Sequence, residues 1–183
     1  AIMVKNLLCL SDISTEIGEK EDADYFFTQA GFIKDAMRRL MVDHGMYWST
    51  VGLNYQKVQI KTWAMFAPLF AKICTQDEAR KLVDGHLLNT KEFAAKFLVP
   101  TVSMDEPSFN PKGFWRGPVW LAINWFVYKG LLNYGFNSEA EKIYQSSLNL
   151  IEQSGFREHF DPQTGEGFGA LDFTWGGLVV DMQ

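Results

Sequence analysis

Between residues 20 and 42, Tyr25, Phe26, Ile33, Met37, Leu40 and Met41 recur at helical spacing with charged residues between them. This rhythm returns along most of the chain and limits the folds open to it. Val4, Leu7 and Leu8 predict a helix over 1–17, closed by Gly18, and Asp43-His44-Gly45 ends the helix that follows. Residues 62–73 are apolar nearly all round, which calls for burial on several sides, and Pro68 predicts a kink there. Thr75 reads as an N-cap with Asp77 and Glu78 in the first turn of a helix to about Leu88, and 89–97 as a further short helical piece. Pro118 is placed as the first residue of a helix to about Asn133, with Trp120, Ile123, Val127 and Leu131 on one stripe and Gly135 closing it. Ser138 with Glu141 predicts a capping box for a helix to about Ser154, and one more helix begins at Thr174 and reaches Asp181.

What repeats is helix, turn, helix, with no convincing strand ladder. Residues 46–55 read as irregular or short extended chain. Pro100, Pro107, Pro111 and Gly113 rule out a regular element over 99–113, so that stretch is a long excursion. Helices joined alternately by short turns and long, aromatic-rich loops predict an all-α fold of antiparallel helical hairpins around an axis. The long loops then gather at one end, where a site can form. The 183 residues suffice for one domain, 1–183, with a substantial core.

Several function classes are disfavoured. The net charge is −5 and no basic stripe appears, so nucleic acid is not an expected partner. No run reaches the length of a membrane span. Cys9 and Cys74 sit in apolar helical contexts and read as free buried thiols. His44, His86 and His159 are scattered without ligand spacing, so no metal is expected. Gly165-Glu166-Gly167-Phe168-Gly169 lacks the preceding strand and the spacing of a phosphate loop, and no cofactor motif is found. Nothing in the chain reads out a localisation.

The chemistry concentrates near the C-terminus. Gly155-Phe156-Arg157-Glu158-His159-Phe160-Asp161-Pro162 is read as a loop between helices, and loops on a rigid scaffold commonly carry catalytic groups. A glutamate flanked by Phe156 and Phe160 is partly desolvated, which makes it a better base; a solvated loop glutamate is the plainer reading. Asp161 before Pro162 reads as a turn former, and Asp172 as a cap or structural acceptor. Upstream, Trp115 offers a flat face for a sugar ring, and Arg116 a planar fork of donors for hydroxyls or a carboxylate. Gly117 leaves room for a close backbone approach by substrate. A packed Trp and a surface Arg at a helix start are the alternative. Trp120 and Trp125 lie within the expected helix, so packing competes with binding there, while Phe173 and Trp175 are candidates for a pocket floor.

These residues carry a resemblance. Phe114-Trp115-Arg116-Gly117-Pro118-Val119-Trp120, followed by Asn124-Trp125, resembles the Tyr-Trp-Arg-Gly-Pro segment of glycoside hydrolase family 63. Gly155 to Pro162, with Thr164-Gly165-Glu166 and Phe173-Thr174-Trp175, is similar to that family's C-terminal signature. Lys61-Thr62, Pro68-Leu69-Phe70 and Leu98-Val99-Pro100-Thr101-Val102-Ser103 fall in the family's order. The resemblance implies an (α/α)6 barrel and inverting hydrolysis of α-glycosides, with Glu158 as general base. Phe114, Trp115, Arg116, Gly117, Trp120, His159, Phe173 and Trp175 would then bind the sugar, with no metal and no cofactor. Small bacterial members resemble mannosylglycerate and glucosylglycerate hydrolases, and larger ones act on oligosaccharides. The family's tyrosine is Phe114 here, which removes a hydroxyl. Its general-acid aspartate lies upstream of every segment present, so the chain is expected to be about half of the barrel, partnered by a preceding N-terminal half and by a small sugar or glycoside. A catalytically silent carbohydrate-binding or scaffold module, and a trehalase-like hydrolase, are the competing expectations.

Overall fold

The computed structural model describes residues 1–183. Helix α1 (Ile2–Glu16) packs against α2 (Lys20–Met41) as a hairpin, and the Ser11 hydroxyl donates to the Ala23 carbonyl across the turn at 2.9 Å. After α2 the chain turns through His44 and Gly45, both with positive φ, into a tight hairpin of β1 (Val42–Asp43) and β2 (Met46–Tyr47). A second hairpin, β3 (Ser49–Val51) with β4 (Gln56–Val58), fills the stretch read as irregular.

Residues 62–73 are not one kinked helix. A 3-10 turn over Trp63–Phe66 leads into a single α-turn, α3 (Ala67–Phe70), and Pro68 sits in the first turn of α3. Proline there lacks only an N–H that would be unpaired anyway, so it starts the element rather than bending it. The next helix is capped as the sequence predicts: Thr75 Oγ1 accepts from the Glu78 N–H at 3.2 Å, and the Glu78 carboxylate accepts from the Thr75 N–H at 2.7 Å. It runs as α4 (Gln76–Leu82) and widens to a π-turn over Val83–Leu87. Residues 89–97 are turns instead of a helix, because Asn89 Oδ1 takes the Lys91 N–H while the Asn89 carbonyl takes those of Glu92 and Ala94.

Two further boundaries differ from the sequence expectation. Pro118 is not helical, and α5 is Leu121–Leu132, because Val119 is occupied in extended pairings with Pro100 on one side and Phe160 on the other. Helix α6 (Asn137–Ser154) begins without the expected Ser138–Glu141 box; Phe136 stands at its cap position, and Glu141 accepts from Gln145 one turn on. The expectation of an all-α chain is also corrected. Residues 155–171 form a third hairpin, β5 (Arg157–Phe160) with β6 (Gly167–Leu171), before a closing 3-10 segment over Thr174–Met182. Helices dominate, and three two-stranded antiparallel sheets join them.

The main core lies among α3, α4, α5 and α6, with Phe66, Leu69, Phe93, Leu131 and Ile143 all fully buried. A ribbon of segments is paired in series: Thr62 with Val102, Pro100 with Val119, and Val119 with Phe160. The proline-rich excursion belongs to this ribbon. It is pinned at one side by Lys61, whose ammonium meets Glu92 at 2.9 Å and Asp105, while His86 Nδ1 contacts the other Glu92 oxygen at 2.6 Å. On the other side the wholly buried Asn124 of α5 accepts from the Val99 N–H and donates to the Leu98 carbonyl and to Ser147. A buried amide satisfied on each of these sides costs little and locks register. No helix is long and apolar enough to cross a membrane.

Candidate active site

The two motif segments meet through backbone bonds. The Val119 N–H donates to the Phe160 carbonyl at 2.8 Å, and the Phe160 N–H donates to the Val119 carbonyl at 2.9 Å. Both residues are fully buried, in a small cluster with Phe97, Leu121 and Leu150. The hairpin carrying Glu158 is therefore fixed beside the loop carrying Trp115 and Arg116.

That loop is held by its own backbone: Asn110 donates to the Arg116 carbonyl at 2.7 Å, and Gly113 donates to the Asn110 carbonyl at 2.8 Å. Phe114 has a φ of +58°, a conformation that costs energy for a residue with a side chain and recurs at functional loops. Its carbonyl accepts from Trp120 Nε1 at 3.0 Å. Gly117 is buried, donates to Thr101 Oγ1, and has the Asn110 carbonyl oxygen 2.5 Å from where a Cβ would stand. The space left by its absent side chain is thus filled by the loop itself rather than left open to a substrate.

The aromatic residues form a stack. Trp115 and Trp120 are parallel with centroids 4.0 Å apart, and His159 lies behind Trp120 at 5.0 Å. Phe114 meets Trp115, Trp120 and His159 edge-on. Trp120 is sandwiched and buried, whereas Trp115 keeps one outer face and is 41% exposed. Trp175 tilts against Trp120 at 5.6 Å and takes the edge of Phe173. The side chain of Arg116 is exposed and makes no hydrogen bond or ion pair. Lys112 crosses from the loop to the hairpin, pairing with Glu166 at 3.0 Å and lying over Phe168.

His159 is buried, and its Nδ1 finds no partner. Burial pushes the imidazole below its ordinary value, against the pull of the Glu158 carboxylate. Nδ1 is thus an unsatisfied buried polar atom whether or not it carries the ring's proton.

Glu158 is half-buried on β5, a strand position and not the expected loop. Phe156 and Phe160 do not enclose it. Phe160 turns into the core, and Phe156 is 44% exposed against Gly176. Its neighbours come from β6, where Gly169 lies against its side chain and the Ala170 N–H donates to Oε2 at 3.2 Å. Asp161 shapes the hairpin turn as predicted, Oδ1 accepting from Gln163 and Thr164, and Asp172 sits at positive φ just past β6. Sequence reasoning missed Thr101, Phe168 and the Gly169–Ala170 pair. The only signal for the last was the alternation of glycines at 165, 167 and 169. No cluster of His, Cys, Asp or Glu side chains comes together to hold a metal ion.

The model of the mannosylglycerate hydrolase MGH1-like glycoside hydrolase domain matches residues 1–176. A mannosylglycerate hydrolase of Thermus thermophilus is 39% identical over 137 residues, covering 74% of this chain and 32% of that protein. The crystal structure of a family 63 mannosylglycerate hydrolase from Thermus thermophilus in complex with glucose superposes with a TM-score of 0.86 at 29% identity, over 98% of this chain and 44% of that one. The neutral trehalase of Saccharomyces cerevisiae shares the fold at a TM-score of 0.74 and 16% identity. The chain thus spans less than half the length of these relatives.

Proposed function

The chain belongs to the mannosylglycerate hydrolase MGH1-like glycoside hydrolases of family 63, and from that premise we propose that it supplies the base side of an inverting α-glycosidase site. In this reading the chain is the C-terminal part of an (α/α)6 barrel, and the general acid comes from the part of the domain that precedes it. The substrate is an α-mannoside or α-glucoside such as mannosylglycerate, glucosylglycerate or an oligosaccharide.

The observation that carries the proposal is the Val119–Phe160 pairing, which joins the hairpin carrying Glu158 to the segment that follows Trp115 and Arg116. Inversion needs two carboxyl groups on opposite faces of the sugar, roughly 6.5–9.5 Å apart, with a water beside the base. Glu158 takes a proton from that water as its oxygen attacks the anomeric carbon. The glycosidic C–O bond breaks on the opposite face, and the departing oxygen receives the acid's proton. Trp115 offers its free face to a sugar ring, and the unpaired Arg116 fork suits hydroxyls or a glycerate carboxylate. His159, whose burial disfavours the charged ring, adds no positive charge next to the base. Phe173 and Trp175 border the same stack.

In the full-length protein, Glu158→Gln should keep the fold and lose roughly 100- to 10,000-fold in turnover, the scale of a lost general base. In Glu158→Ala, azide should replace the water and give the β-glycosyl azide from an activated α-glycoside. Near-normal hydrolysis by Glu158→Gln, or azide product only in the α configuration, would remove the assignment.

A further inference from the structure

The β5–β6 pairing is irregular at one place. Arg157 faces Leu171 and His159 faces Phe168, so Glu158 alone stands opposite two residues, Gly169 and Ala170. Gly169 has a φ of +69°. One extra residue with glycine in the left-handed region is a β-bulge of the kind that bends a strand and re-aims a side chain. Two contacts here fall on Glu158 itself. The Ala170 N–H donates to Oε2 at 3.2 Å, while Oε1 makes no hydrogen bond. A Cβ built on Gly169 would clash with Oε2 and stand 2.7 Å from the Glu158 Cβ and 3.0 Å from its Cδ. The bulge therefore removes a side chain from the space the carboxylate occupies and places a main-chain donor against one of its oxygens.

Resting on the reading of Glu158 as the base, we propose that the Gly169–Ala170 bulge is a positioning device for catalysis. Gly169 provides the space, the Ala170 amide holds Oε2, and Oε1 is left as the oxygen that takes the proton from water. A glutamate on a regular strand would have a side chain opposite it and no N–H turned toward its carboxylate. The device acts only through Glu158 and touches neither sugar nor water.

The test uses the full-length enzyme with mannosylglycerate and an activated aryl α-mannoside. Gly169→Ala should lower kcat by about 10- to 100-fold, the scale of a catalytic group displaced by an ångström, and leave KM nearly unchanged. Replacing the Ala170 amide by an ester, with lactate at that position, removes the N–H and adds no atom. It should lower kcat by about 10-fold at unchanged KM, and it decides the matter if Gly169→Ala does not fold. In Glu158→Ala assayed with azide, the ester should have no effect, since its target is gone. Normal kcat in the ester variant, with Glu158→Gln inactive, overturns the positioning role and leaves the base standing. An equal loss from the ester in the azide-dependent Glu158→Ala reaction overturns it too, because the bulge would then act elsewhere. An active Glu158→Gln removes the base and this inference with it.

Discussion

Trp120 lies flat against Trp115, their ring centroids 4.0 Å apart and their planes 5° from parallel. Adjacent members of one motif therefore have different duties. Trp120 is covered on both faces, by Trp115 and by His159, and is tied through Nε1 to the Phe114 carbonyl. Trp115 has one face free. Trp120→Ala in the full-length protein should cost about 3–5 kcal/mol of stability, the scale for emptying a buried aromatic site. Trp115→Ala should cost substrate or transition-state binding about 1–3 kcal/mol and leave folding nearly intact. Denaturant melts set beside kcat/KM separate the two, and equal stability losses would show that the stack is structural throughout.

Gly117→Ala should act on folding rather than on substrate affinity. The new methyl would meet the Asn110 carbonyl oxygen at 2.5 Å and the Phe109 ring at 3.0 Å, both inside the loop. Overpacking of this kind costs about 1–3 kcal/mol. A lower melting temperature with KM unchanged among the remaining folded molecules is the expected result. A raised KM at full stability would return Gly117 to substrate contact.

Lys61 anchors the proline-rich excursion from within an acidic pair. Its side chain is 17% exposed and that of Glu92 11%, so removing the cation leaves a Glu92 carboxylate that water reaches poorly. Lys61→Met should destabilise by up to about 3–5 kcal/mol, the cost of an uncompensated buried charge, lessened by the exposure of Asp105. Adding Glu92→Gln to Lys61→Met should recover part of that loss. No recovery in the double variant would mean that Lys61 contributes by packing alone.

The buried His159 sets a pH dependence. Unfolded, it titrates near 6.5, and folded, it titrates lower, because burial disfavours the imidazolium. Between those values the unfolded state binds more protons, so stability falls as pH falls through the window and is unaffected by this group above it. Melting temperatures taken from about pH 8 down to about pH 5 should drop less steeply in His159→Phe than in the parent. Parallel curves would place the proton on His159 equally in both states.

The features legible in the sequence are those whose causes are local. The period of apolar residues located α1, α2 and α6 to within a residue or two, since a helix repeats its burial every turn. Thr75 caps the helix it precedes, and Asp161 shapes its own turn, so both could be read where they stand. The motif segments, the likeness to family 63 and Glu158 as candidate base were also visible in the letters.

Tertiary structure decided what depends on a distant partner. Pro118 and Val119 look like a helix start, but Pro100 and Phe160 draw Val119 into extended pairing and move the start to Leu121. Ser138 is a suitable cap, and Phe136 takes the place. Glu158 seemed enclosed by Phe156 and Phe160 because they are near in sequence; on a strand its surroundings come from across the ladder, from Gly169 and Ala170. Periodicity records which face of an element is buried, but not which segment will cover it. A backbone hydrogen bond between residues 41 apart in the chain, such as that from Val119 to Phe160, leaves no local mark on either side.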